Sequence, residues 1–231
     1  MILYAENHNK KISPYKGNWP YYSKKDSIKG VIELNQIKCP RALGCECDLD
    51  RDCESGNCLK LPKGQYCKPV EGTRIPRFRL QDQFGDLVDI YDFYGSGKYI
   101  LIELSAAWCG VCHELASWIT YNDTVITEKR FWKDEYKQIK DMIINDEIYF
   151  IHIQFQDEYR DNATQQTIEE WYSTYPDDKI PVLGDFNRAV HTLLKPTGLP
   201  VVILLNDKLE IVQYSNRGFN HTFDKLIEIY N

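Results

Sequence analysis

Tyr99-Ile100-Leu101-Ile102-Glu103-Leu104-Ser105-Ala106-Ala107-Trp108-Cys109-Gly110-Val111-Cys112-His113-Glu114-Leu115-Ala116-Ser117-Trp118 is the stretch around which the rest of the chain arranges itself. Its first six residues are short, apolar and rich in isoleucine and leucine, with Gly95 and Gly97 upstream, the pattern of a buried strand. After Ser105-Ala106-Ala107 the period changes. Val111, Leu115, Trp118 and Ile119 fall at i, i+4, i+7 and i+8, one face of a helix. The two cysteines therefore stand where a strand hands over to a helix, with Cys109 at the helix start. The first turn of a helix offers unpaired N–H groups and the positive end of the dipole, and both favour a thiolate over a thiol. Cys109 is the expected nucleophile, and Cys112, one turn deeper, the residue that closes a disulfide on it. Glu103 interrupts an otherwise apolar strand. A buried carboxylate is costly unless it is paired or protonated, so Glu103 is read as the proton acceptor for Cys112, with an edge-strand residue facing water as the plain alternative.

Strand, tryptophan, Cys-x-x-Cys and helix together resemble the redox site of the thioredoxin superfamily. The resemblance implies an α/β fold, a central mixed β-sheet flanked by helices. It also implies a cis-proline facing the disulfide, and Gly198-Leu199-Pro200-Val201-Val202-Ile203-Leu204-Leu205 supplies the match at Pro200. Upstream, Pro76, Phe78, Leu80, Asp82, Gly85 and Val88 are similar to the segment that precedes the active-site strand in the TlpA-like, redoxin branch. That similarity runs over about residues 72–231 and implies a thiol–disulfide oxidoreductase, tipped towards a reductase recharged by a membrane electron donor. Trp108 is expected to wall the site, and Leu199 and Pro200 to line a groove for a protein client. No cofactor and no metal are implied.

Three other readings compete. Cys109-Gly110-Val111-Cys112-His113 is also the spacing of c-type haem attachment, but the preceding buried strand and tryptophan argue against it, and Met142 and Met1 are the only thioether sulfurs. A peroxiredoxin-type peroxidase would need a threonine where Ala106 stands. A non-enzymatic exported binding protein would use the cysteine-rich segment for recognition and the remainder as scaffold.

That segment holds six of the eight cysteines, Cys39, Cys45, Cys47, Cys53, Cys58 and Cys67. Such density is typical of disulfide-stapled modules in oxidising compartments, so an extracytoplasmic setting, periplasmic or secreted, is expected. No export signal is recognisable, because Met1-Ile2-Leu3-Tyr4-Ala5-Glu6 turns polar too soon. Three disulfides are favoured over a zinc site, because no histidine lies nearby. Of the connectivities open to six cysteines the alternating set Cys47–Cys58 and Cys53–Cys67, leaving Cys39–Cys45, is the expected one. Asp48, Asp50, Asp52 and Glu54 read as solvated turns, since an EF-hand's glycine and spacing are missing.

The organisation expected is an extended tail over residues 1–30, a cysteine-rich module over 31–70 and a thioredoxin-like domain over 71–231. The aromatics Tyr15, Trp19, Tyr21 and Tyr22 suggest that the tail packs on the main domain. Beyond the first helix, helices are expected at 128–145, 164–175, 187–194 and around Phe223–Tyr230. Strands are expected at 147–155, from Pro181, and as a hairpin over 201–205 and 210–214. The 231 residues can bury a full core, and a net charge of −6 disfavours nucleic acid or an anionic membrane as partner. No apolar stretch approaches the roughly 20 residues of a membrane span.

Overall fold

The structure is a computed structural model and describes residues 13–231; residues 1–12 of the expected tail, Met1 included, lie outside the described residues. A hairpin of β1 (Cys58–Leu61) and β2 (Gly64–Cys67) belongs to the cysteine-rich module. The main sheet contains β3 (Arg79–Asp82), β4 (Leu87–Asp89), β5 (Tyr99–Ser105), β6 (Ile148–Gln154), β7 (Val182–Gly184), β8 (Val201–Leu205) and β9 (Ile211–Tyr214). Their order across the sheet is β4-β3-β7-β6-β5-β8-β9. The three central strands β5, β6 and β7 are parallel, and the flanking pairs are antiparallel. Five α-helices accompany them: α1 (Gly110–Tyr121), α2 (Lys137–Ile144), α3 (Gln165–Thr174), α4 (Ala189–Leu194) and α5 (Asn220–Tyr230).

Strand β5 explains why the sheet is covered on both faces. Ile100, Ile102 and Leu104 point to a layer shared with Val88, Ile151, Ile153, Leu183 and α4. Leu101 points the other way, to Leu115 and Trp118 of α1, Ile139 of α2 and Phe223 of α5. Every fully buried side chain of this kind contributes about 1.5–3 kcal/mol, so a strand apolar on both faces specifies a central place in the sheet. Among the described residues no helix is long and apolar enough to cross a membrane.

One helix is shorter than the sequence pattern suggests. The helix expected over 128–145 begins only at Lys137, and Lys133 is extended (φ −127°, ψ 142°). Trp132 sets this bend, with its ring 4.8 Å from Trp118 and 5.4 Å from Tyr136. Aromatic contacts contribute about 0.5–1.5 kcal/mol each, more than the few tenths by which most residues differ in helix propensity.

The segment before the sheet is tied down. Trp19 is 3% exposed, and its Nε1 donates to Asp82 Oδ2 at 2.6 Å. Tyr15 and Lys25 both donate to Asp92, and Arg77 joins Asp26 to Asp89.

The module has the alternating connectivity, Cys39–Cys45, Cys47–Cys58 and Cys53–Cys67. All six sulfurs are bonded in pairs, which leaves no thiolate for a metal. Its acids hold turns: Asp50 Oδ1 accepts from the Cys58 N–H and Asp52 Oδ2 from the Leu49 N–H, both at 2.8 Å. The module rests on α4. Lys68 donates to the carbonyls of Leu194 and Lys195 at the end of that helix. Gly44, at φ +79°, approaches so closely that a Cβ there would lie 2.7 Å from the Thr192 carbonyl oxygen. Cys53 and Cys67 are separated by 14 positions, so opening that loop as Cys53→Ser/Cys67→Ser is expected to cost about 3 kcal/mol. A drop in the urea midpoint of the full chain, with early proteolysis within residues 39–67, is the result that checks it.

Candidate active site

Chain reversal at the end of β5 delivers Trp108 and Cys109 to the edge of α1. Cys109 is the N-cap of that helix, extended at φ −84°, ψ 101°, and its Sγ accepts the Cys112 N–H at 3.3 Å. A sulfur occupies the place where serine or aspartate usually caps a helix. Cys109 and Cys112 are joined, with Cα atoms 5.3 Å apart, and their exposures are 5% and 0%. The outer sulfur is thus the more accessible of the two. The Leu199–Pro200 peptide bond is cis, and Leu199 packs against the cluster that contains both cysteines. Trp108 forms another side, with Nε1 donating to Gln156 Oε1 at 3.1 Å.

Behind the disulfide lies a buried polar chain. Glu103 is 1% exposed, so the water-facing alternative does not hold. Across the parallel pairing of β5 and β6, Glu103 stands opposite His152. His152 Nδ1 donates to Glu103 Oε2 at 2.7 Å, and His152 Nε2 accepts from Gln154 Nε2 at 2.9 Å. The imidazole is stacked on Trp171 of α3 at 4.5 Å, and the same indole lies 4.6 Å from the His113 ring. His113 Nε2 donates to the Ala107 carbonyl at 2.6 Å, while Nδ1 accepts from the Tyr175 hydroxyl at 2.8 Å. His113 is therefore held in place by both ring nitrogens. Glu103 Oε1 makes no protein hydrogen bond. It borders a cavity of about 20 Å³ between α1 and α3, lined also by Tyr175 and Asp177, enough for one water molecule.

In the sequence His152 is one residue of the strand expected at 147–155. Its partner could have been found by laying the two central strands side by side, since a parallel register that aligns their apolar runs also aligns Glu103 with His152. Gln156, Arg160 and Tyr175 carried no such signal, because loop geometry alone brings them to the site.

His191 of α4 is stacked on Phe155 at 4.3 Å. Burial first, then the nearby Arg188, Lys195, Lys63 and Lys68, push its pKa down to about 4. An unfolded histidine takes up its proton near about 6.5, so folding stability is lost as pH falls from that value towards 4 and is untouched above it. His191→Phe keeps a ring on Phe155 and removes the titration. The wild type is expected to lose more melting temperature than this variant between pH 7.5 and pH 4.5, and equal losses would refute the assignment.

Solved structures of other proteins superpose on this fold. A protein described as the thiol:disulfide interchange protein DsbE, from Chlorobium tepidum, superposes over 70% of this chain and 99% of its own, with a TM-score of 0.50 and 14% identity. The fold is thioredoxin-like. A thioredoxin-like protein from Bacteroides caccae superposes over 71% of this chain and 51% of its own, with a TM-score of 0.51 and 13% identity. No protein-family model matches the chain, and no curated protein does. Within this thioredoxin-like chain the disulfide lies at the C-terminal ends of the parallel strands, where open α/β sheets place their sites.

Proposed function

We propose that this chain is an extracytoplasmic thiol–disulfide oxidoreductase whose Cys109–Cys112 pair reduces protein disulfides. The single observation that carries the reading is the Cys109 sulfur capping the first turn of α1 while bonded to a deeper Cys112. In the reduced chain Cys109 attacks as thiolate, a mixed disulfide forms and one client thiolate leaves. Cys112 then attacks Cys109 Sγ and releases the second client thiolate. Glu103, held by His152, receives the Cys112 proton. Two electrons pass to the client and the Cys109–Cys112 disulfide is regenerated, to be reduced again by a dithiol donor at the membrane. The client strand lies along Leu199 and Pro200 and pairs with their backbone. Three further disulfides in the same chain support an oxidising compartment.

Reduction of insulin by dithiothreitol tests this directly. The wild type accelerates precipitation, and an uncatalysed rate for the wild type overturns the proposal. The Cys109–Cys112 reduction potential assigns the direction: a value near about −270 mV belongs to a reductant and one near about −120 mV to an oxidant.

A further inference from the structure

The chain is acidic, with a net charge of −6, yet cations border its disulfide. Arg160 lies with its guanidinium carbon 3.8 Å from the centroid of the Trp108 ring. Its own backbone is held: the Gln156 amide and Arg188 Nη2, the latter at 3.1 Å, both donate to the Arg160 carbonyl. Arg160 and Arg188 have φ of +72° and +56°, a left-handed conformation that is costly for any residue with a Cβ and is kept only where the surroundings enforce it. Two arginines are thus positioned at some conformational cost. Arg217 lies across Gly198, so that a Cβ there would be 2.8 Å from Arg217 Cδ; Gly198 directly precedes Leu199 and Pro200.

The same sign continues along α4. Lys195, at φ +45°, places Nζ 4.9 Å from the Tyr66 ring of the module. The charges that bear on His191 are Arg188, Lys195, Lys63 and Lys68, all cationic. Among the described residues none of Arg160, Arg188, Arg217, Lys63 or Lys195 forms an ion pair. The nearby carboxylates, Asp157, Glu158, Asp161 and Asp185, keep their charge but form no ion pair with these cations among the described residues. Asp157 accepts from the N–H groups of Tyr159 and Asp161, and Asp185 from those of Val190 and His191. Glu158 and Asp161 are exposed.

We propose that the groove between Trp108, Leu199 and α4 takes clients whose disulfide is flanked by acidic residues. Arg160 stands on Trp108, the neighbour of Cys109, and Arg217 against Gly198, the neighbour of Leu199, while Arg188, Lys195 and the module's Lys63 extend the positive surface. The inference rests on the oxidoreductase reading and adds its substrate class. It also assigns the module a function, because its hairpin brings Lys63 to the field of α4. Complementary charge acts mainly on encounter and on discrimination between partners, and salt screens it.

The test compares two peptides of one sequence around a single disulfide, one with aspartates and one with lysines flanking each cysteine. Each turnover consumes one peptide disulfide and two electrons from dithiothreitol, delivered through Cys109 and Cys112. With the full-length wild type at low salt, kcat/KM for the acidic peptide is expected to exceed that for the basic one by about 10-fold or more, narrowing to about 2-fold in strong salt. Arg160→Gln/Arg217→Gln should bring the low-salt ratio close to one, and Lys63→Gln/Lys195→Gln should lower it in part. The ratio is read because any loss of intrinsic chemistry affects both peptides alike and cancels. Equal rates for the two peptides in the wild type, or a ratio indifferent to salt, overturn the proposal while leaving the oxidoreductase reading intact. Failure to reduce either peptide removes that reading, and this one with it. The wild-type salt series stands without any variant, so misfolding of a variant does not shelter the idea.

Discussion

Cys109→Ser is expected to slow the reduction of insulin and of small disulfides by at least about 10⁴-fold, to the uncatalysed rate. The client is attacked by one sulfur, and no other can replace it: Cys112, freed in this variant, is fully buried, and the six module cysteines are bonded in pairs. A serine hydroxyl at the same N-cap would hold the helix as well as sulfur does, so the variant should fold normally and fail only in chemistry. Cys112→Ser should fail differently. With Cys109 intact the attack on the client still occurs, but nothing resolves the product, and a mixed disulfide with the client should accumulate on non-reducing gels. If Cys109→Ser retained activity within a few fold of the wild type, the assignment of the nucleophile would be wrong.

His152→Leu is expected to destabilise the chain by about 3–5 kcal/mol, because it strands the buried Glu103 carboxylate without its partner. For a chain of this size that corresponds to a fall in melting temperature of roughly 10 °C. Glu103→Leu/His152→Leu should recover most of the loss, since removing both members of a buried pair leaves no uncompensated charge. The recovery separates this mechanism from a plain loss of packing against Trp171, which would hit the single and double variants alike. Catalysis should not recover: in the double variant the Cys112 thiol has lost its proton acceptor, and release of client from the mixed disulfide should lag behind its formation. A single variant as stable as the wild type would show that the pair is not desolvated in solution.

Much of this architecture could be read locally. The change of period after Ala107 placed Cys109 at the head of a helix, and the apolar run of β5 implied cover on both faces. Thr164 caps α3 through the Thr167 N–H, as a threonine ahead of an amphipathic run suggests. Turn residues carried the hairpin of β8 and β9. The module's own hairpin was legible only in hindsight, from Pro62-Lys63-Gly64 between two short runs. The helix over 128–145 was overdrawn because periodicity cannot register that Trp132 has a better place among Trp118 and Tyr136 than on a regular helical face.

The amino-acid order alone therefore determined the central strand, the cysteine pair at the helix start and the stapled module, because each is dictated by neighbours within a few residues, while the proline turn followed from the family resemblance. Only the tertiary structure decided what meets the site from afar: His152 against Glu103 across a strand pair, Arg160 on Trp108, and Lys63 of the module beside α4. Those contacts arise from sheet register and loop closure, which depend on how distant segments bury their surfaces together, and no local pattern of residue types encodes that.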